Sequence, residues 1–207
     1  MLHKTALLTL NGKCPDKSLL LSLRKKSSFH LCTDGAYDSL KKLGIIPDAV
    51  IGDMDSLNGE AADTRIILNT DQMTNDFEKA LIWLLDEKFT QVYLTGLSGG
   101  RLDHEMVNLT LFAIYSDKLE LLIYEDNQAA RVLNPGTHIL NGEPSRIITL
   151  LPLEQSEDVT LSGTKYPLTG ETLLPGSRGL SNRFEKSVVN LSFSRGKIIV
   201  ITHCRFE

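Results

Sequence analysis

Up to about Asp126, short apolar runs of β character alternate with stretches of helical period. The runs cover residues 6–10, 29–33, 49–51, 65–68, 91–95 and 119–124, and this alternation marks an α/β unit with a largely parallel sheet. The clearest helix is predicted from Asn75. Asn is a good N-cap, Glu78 stands three positions on as in a capping box, and Phe77, Ala80, Leu81, Leu84 and Leu85 form one stripe. A second helix is predicted from about Leu102 to Ile114, with Leu102, Met106, Leu109 and Ala113 turned inward. After Asn127 the pattern becomes short β runs over 131–133, 146–151, 159–161, 187–193 and 197–203, separated by Gly, Pro and Asn turns. The segment from Ser192 to Lys197, with Gly196, reads as a hairpin turn into the last strand. The expected class is α/β. A doubly wound, mostly parallel sheet domain over residues 1–127 precedes a small antiparallel, sandwich-like all-β domain over 128–207.

Composition narrows the partners. A chain of 207 residues suits one larger and one smaller domain, and 42% hydrophobic with 23% charged residues is ordinary globular usage. A formal net charge of −4 without any Lys/Arg run argues against a nucleic-acid surface and for a small-molecule partner. Cys14, Cys32 and Cys204 are far apart, odd in number and form no C-x-x-C pair, which suggests neither a disulfide framework nor a zinc site and fits a reducing cytosol. No apolar run reaches bilayer-spanning length, and the one from Thr5 to Leu10 is too short for a signal-peptide core. No membrane anchor, no export and a cytoplasmic location are expected.

The polar residues of chemical interest gather where the predicted strands end, which is the ligand-binding edge of an open α/β sheet. Asp34-Gly35 follows the second run and Gly52-Asp53-Met54-Asp55-Ser56 the third. Asp71 to Asp76 follows the fourth, and Gly99-Gly100-Arg101-Leu102-Asp103-His104 the fifth. Each alone has an ordinary structural reading as a turn, a cap, a first-turn acid or a flexible joint. Together, four or five carboxylates on one edge repel by roughly 1 kcal/mol per close pair in water and about fourfold more at an effective dielectric of 20. A hard divalent cation would neutralise them, and Mg²⁺ held by one or two carboxylates plus substrate phosphates is the usual arrangement. The candidate ligands are Asp53, Asp55, Asp71 and Asp76, with Asp34 and Asp103 near. There is no G-x-x-x-x-G-K-[ST] loop, so phosphates would fall to the metal, Arg101, Lys79 and the backbone amides of the glycine turns. His104 and Asn108, four apart on one helix face, could line the pocket, whereas His3, His30, His138 and His203 have no ligand spacing. In the β domain, the segment 175–182 is a polar, turn-rich stretch.

Placed in order, these residues resemble the motif series of the thiamine pyrophosphokinase family: D-G-[GA], P-D-x-x-x-G-D-x-D-S, D-Q with a T-D-like pair, G-G-R-x-D-H with a downstream Asn, and a late S-N. Here they read Asp34-Gly35-Ala36, Pro47-Asp48 to Asp53-Met54-Asp55-Ser56, Asp71-Gln72 to Asn75-Asp76, Gly99-Gly100-Arg101-Leu102-Asp103-His104 to Asn108, and Ser181-Asn182. The match covers nearly the whole chain. It implies a homodimer of two-domain subunits, with ATP and thiamine in clefts at the dimer interface. It also implies that Asp53, Asp55 and Asp76 hold Mg²⁺ and the triphosphate, with Gln72, Asp103, Ser181 and Asn182 on the thiamine side. Two departures are visible. Asn75 replaces a frequent Thr and caps a helix equally well. The single tryptophan, Trp83, lies in the α/β helix, so either Phe184 substitutes for the C-domain aromatic that some members place against thiamine, or that contact is absent.

The implied reaction is attack of the thiamine hydroxyl on the β-phosphorus of ATP with release of AMP, a carboxylate such as Asp71 or Asp103 orienting or deprotonating the hydroxyl. The alternatives are a related pterin pyrophosphokinase, a nucleotide-sugar transferase using Asp53-Met54-Asp55, and a non-catalytic module that binds nucleotide or thiamine.

Overall fold

The computed structural model describes residues 4–56 and 64–203; His3 and Cys204 lie outside them. The chain divides into two units, Met1–Asp126 and Asn127–Glu207. The first contains β1 (Thr5–Thr9), α1 (Lys17–Lys26), β2 (Phe29–Thr33), α2 (Asp34–Lys42), β3 (Ala49–Gly52), β4 (Arg65–Leu68), α3 (Asp76–Asp86), β5 (Gln91–Thr95), α4 (Leu102–Tyr115) and β6 (Glu120–Glu125). Its strands lie in the order β6-β5-β1-β2-β3-β4, all paired in parallel. The chain winds from β1 outward to β4 and then adds β5 and β6 on the other side of β1. Strand order therefore reverses between β1 and β5, and the crevice at the carboxyl ends of those two strands is the topological switch point. All five residues of β1 are buried, as expected of a parallel strand covered on both faces. His30 is buried beside it with Nε2 3.0 Å from Thr9 Oγ1, and burial pushes its pKa down to about 3, which keeps it a neutral structural residue.

Helix α3 follows the predicted design. The Asn75 side chain accepts a hydrogen bond from the Glu78 amide at 2.9 Å, and Phe77, Ala80, Leu81 and Leu84 are buried. Replacing Asn75 by Ala is expected to lower unfolding free energy by about 1 kcal/mol. Urea unfolding measures this, and an unchanged midpoint would remove the cap from the helix's stability. Helix α4 corrects an expectation. Leu102, Met106 and Leu109 are exposed and Ala113 is only partly covered, whereas Asn108, Leu111, Phe112 and Tyr115 are buried. Apolar residues surround this helix, so their spacing singles out no face; polar contacts help choose one. Asn75 Nδ2 donates to Asn108 Oδ1 at 3.0 Å, and the Tyr115 hydroxyl donates to Glu78 at 3.1 Å. Asp34-Gly35 also differs from a turn: β2 runs directly into α2, and Asp34 is that helix's first residue.

The second unit holds β7 (Gln128–Leu133), β8 (Gly136–Asn141), β9 (Ile147–Pro152), β10 (Ser156–Ser162), β11 (Leu168–Leu173), β12 (Asn182–Arg183), β13 (Val188–Phe193) and β14 (Ile198–Thr202). Antiparallel pairing joins β12-β9-β14-β7 and, separately, β11-β10-β13-β8. Leu140, Val159 and Leu191 from one set and Ile148, Leu150 and Val200 from the other share one apolar cluster, so the unit is a sandwich and the expected fold class is borne out. Strands β8, β11 and β12 carry no apolar run. Only Leu140 of β8 is buried, and β11 pairs through register shifts next to Gly170. The turn at Ser192 to Lys197 is real, yet it closes no hairpin. β13 pairs with β10 and β8, β14 pairs with β7 and β9, and the turn carries the chain from one sheet to the other. Turn residues are the same in a hairpin and in such a corner; only the partners differ.

Candidate active site

A cavity of about 420 Å³ opens in the first unit, with Leu10, Asn11 and Gly12 after β1 and Gly96, Leu97, Gly100 and Arg101 after β5 on its wall. That places it at the switch point. Of the residues singled out from sequence, Asp34, Asp53, Asp71, Gln72, Asp76, Lys79, Gly100, Arg101, His104 and Asn108 line it, whereas Gly35, Asp55, Gly99 and Asp103 do not.

Backbone geometry explains how the acids are aimed. Met54 sits in the left-handed region at φ 70°, a conformation that costs a non-glycine residue about 1 kcal/mol or more and is held here by its amide donating to Asp34 Oδ2 at 3.1 Å. This kink separates Asp53, on the cavity wall, from Asp55, outside it. The Asp53 carboxylate accepts from the Asp55 amide at 3.2 Å and from Gln72 Nε2 at 3.3 Å, and these bonds hold its pKa below the usual range. Asp71 is tied by the Thr74 hydroxyl at 2.7 Å and the Met73 amide at 3.0 Å, which lower its pKa likewise. Asp34 behaves oppositely. Burial, and then the negative charges of Asp76 and Asp53, push its carboxyl above the usual range.

Two cations face these acids. Lys79 is buried, with 3% of its side chain exposed, and its Nζ donates to Asp76 Oδ1 at 3.0 Å. Arg101 is exposed and forks onto Asp103 at 3.1 and 2.5 Å, and that pairing depresses the Asp103 pKa. The Gly100 amide donates to Glu105 at 2.8 Å. Among the described residues no three His, Cys, Asp or Glu side chains are arranged to hold a metal ion by themselves. The donors present are carboxylate oxygens beside a surplus of negative charge. That set fits a hard cation whose remaining positions are filled by substrate phosphate and water.

Asn11, Gly12, Thr33 and Glu105 also line the cavity and were not singled out from sequence. An Asn-Gly pair after an apolar run was the only available hint for the first two. The Thr33 hydroxyl is buried without a hydrogen-bond partner.

In the second unit, the Asn182 amide group is spent on structure. It donates to Tyr166 O at 2.7 Å and Thr164 Oγ1 at 3.2 Å and accepts from the Tyr166 and Arg183 amides. The neighbouring Ser181, at φ 56°, donates its amide to Thr149 Oγ1 at 3.0 Å. A cavity of about 440 Å³ there is lined by Tyr166, Pro167, Leu168, Arg178, Leu180 and Asn182, among others, and not by Ser181. Phe184 is 1% exposed within the apolar cluster, its ring packed on Gly142 so closely that a Cβ there would stand 2.4 Å away. It therefore offers no face to a ligand. Trp83 packs against Phe29 and Phe89 in the first unit. Tyr166, 60% exposed, is the aromatic on the second cavity.

Residues 20–123 match the model of the thiamin pyrophosphokinase catalytic domain, and residues 137–198 match that of the thiamin pyrophosphokinase vitamin B1 binding domain. A thiamine pyrophosphokinase of Bacillus subtilis (strain 168) is 28% identical over 174 residues, covering 79% of this chain and 81% of that protein. The crystal structure of a thiamin pyrophosphokinase from Geobacillus thermodenitrificans is similar with a TM-score of 0.78 and 27% identity, over 96% of each chain. A thiamin pyrophosphokinase family protein from Enterococcus faecalis shares the fold at a TM-score of 0.83 and 22% identity, over 98% of this chain and 100% of that one. Two domain models of one enzyme family, met in order, account for both units, and on that ground the chain belongs to the thiamine pyrophosphokinase family.

Proposed function

We propose that this protein is a thiamine diphosphokinase, an ATP:thiamine diphosphotransferase that gives thiamine diphosphate and AMP, using Mg²⁺ and acting as a cytoplasmic homodimer. The observation that carries the reading is the charge layout of the first cavity, where a buried lysine and an arginine face a set of carboxylates at the switch point. Such a layout suits a polyphosphate with its metal and little else.

Asp53 and Asp76, with Asp55 beside them, would hold Mg²⁺, which when bound neutralises charge on the phosphate chain. Lys79, fixed by burial and by Asp76, presents a point charge to the same chain. Arg101 and the amides at the start of α4 receive the remaining oxygens, on exchanging Asp103 and Glu105 for phosphate. The thiamine hydroxyl oxygen bonds to the β-phosphorus, the bond to the oxygen bridging α- and β-phosphorus breaks, and AMP leaves with that electron pair. Asp71 or Asp103 serves to orient the hydroxyl, whose proton passes to water, since a loose transition state makes little demand on a strong base. Thiamine is taken by the second unit, where Tyr166 stands in the place considered for Phe184 and Asn182 shapes the wall.

Purified protein mixed with ATP, Mg²⁺ and thiamine is expected to form AMP and thiamine diphosphate one for one, with neither product when thiamine or metal is omitted. ADP, pyrophosphate or no product would sink the reading. AMP formed with a pterin alcohol in place of thiamine would move the chain to the pterin enzymes.

A further inference from the structure

The loop that follows β5 is held from both sides. On one side, the Gly12 amide donates to Gly96 O at 2.8 Å and the Lys13 amide to Ser98 O at 2.6 Å. The two loops are pressed together there: a Cβ on Gly12 would lie 2.3 Å from Ser98 O. On the other side, the Leu97 and Ser98 amides have left the sheet with the end of β5 and need acceptors of their own. Glu125, the last residue of β6, supplies them. Its half-buried carboxylate accepts from the Leu97 amide at 3.0 Å and from the Ser98 amide. The adjoining Asp126 takes the Lys13 ammonium at 2.8 Å and the Asp16 amide at 3.3 Å, so the end of β6 fastens both loops. Leu97, Gly100 and Arg101 line the first cavity, and Glu125 does not.

We propose that Glu125 is a positioning residue for nucleotide binding: by anchoring the Leu97 and Ser98 amides it sets the glycine turn, and with it Gly100, Arg101 and the start of α4, against the phosphate chain of a nucleoside triphosphate. The proposal rests on the function given above. It gives a reason for a carboxylate at this loop: with the Leu97 and Ser98 amides fixed, the turn that follows is fixed where Gly100 and Arg101 line the cavity.

The test is Glu125→Gln, which keeps the shape and leaves one carbonyl oxygen for two amides. ATP KM is expected to rise about tenfold, the loss of one charge-assisted hydrogen bond, while thiamine KM stays within about twofold and the melting temperature within a few degrees. If the Gln variant is not recovered folded, Glu125→Asp withdraws the carboxylate by one methylene and is expected to move ATP KM in the same direction. A folded variant with unchanged ATP KM, or with both KM values raised alike, overturns the proposal. ATP binding is followed in parallel by calorimetry with Mg²⁺. Wild-type binding without turnover would defeat the proposed activity while leaving Glu125 to be judged on binding. Wild-type turnover with an indifferent variant would defeat the role of Glu125 alone, and absence of ATP binding by the wild type would defeat both.

Discussion

Asp53→Asn is expected to lower turnover by about 10²–10³-fold, the loss typical of removing one preorganised charged group from a reacting centre, with the thermal midpoint unmoved. The two halves of this expectation have separate origins. Asp53 lies in the turn after β3 and packs into no core; one of its oxygens accepts from the Asp55 amide, a contact that an asparagine oxygen keeps, and the other accepts from Gln72 in an exposed contact whose loss costs the fold little. Stability should therefore be indifferent. Activity should not be, because the asparagine keeps the oxygen and loses the charge, and charge is what the metal and the phosphate chain require. At 1.36 kcal/mol per tenfold, the loss corresponds to about 2.7–4 kcal/mol of transition-state stabilisation. Steady-state rates of AMP release, with a thermal melt on the same sample, decide it. A variant as active as the wild type would take Asp53 out of the metal site.

Phe184→Ala carries the largest expected effect on stability, a loss of about 3–5 kcal/mol, since it removes a fully buried aromatic ring from a close-packed cluster. With whole-domain stability on the order of 5–15 kcal/mol, this approaches the limit of what the unit tolerates. Urea unfolding measures it. The companion variant Tyr166→Ala removes an exposed ring from the cavity wall and is expected to leave the urea midpoint in place and raise thiamine KM. If Phe184→Ala unfolded at the wild-type midpoint and only thiamine binding suffered, Phe184 would face the ligand and the packing described for it would be wrong.

Asp34, Asp53, Asp71, Asp76 and Gly100 were legible because each follows an apolar run, and the carboxyl end of a strand in an open parallel sheet faces the ligand edge, whereas which of their neighbours reach the cavity was not. The Asn75 cap and the stripe of α3 were legible because both are set by local spacing along one helix, three residues from cap to Glu78 and three or four between the apolar positions. Glu125 was not. It is the last residue of a strand that reads as ordinary, and its role exists only because residues 28 positions away in the chain present unpaired amides to it. Asn11 and Gly12 entered the site in the same manner, through β1 lying beside β5.

By itself, then, the sequence determined what local periodicity and turn chemistry encode: the order of an α/β unit and a β unit, the positions of most strands, and the grouping of acids at one sheet edge. Tertiary structure decided the rest, because those choices depend on partners distant along the chain. The turn near Gly196 joins two sheets rather than one hairpin, since β13 and β14 find different neighbours. The buried face of α4 is the one carrying Asn108, since Asn75 meets it there. Phe184 and Asn182 became parts of the framework, since burial and four hydrogen bonds from the segment 164–183 leave neither free for a ligand, and no spacing along the chain records how much of a side chain its neighbours will use.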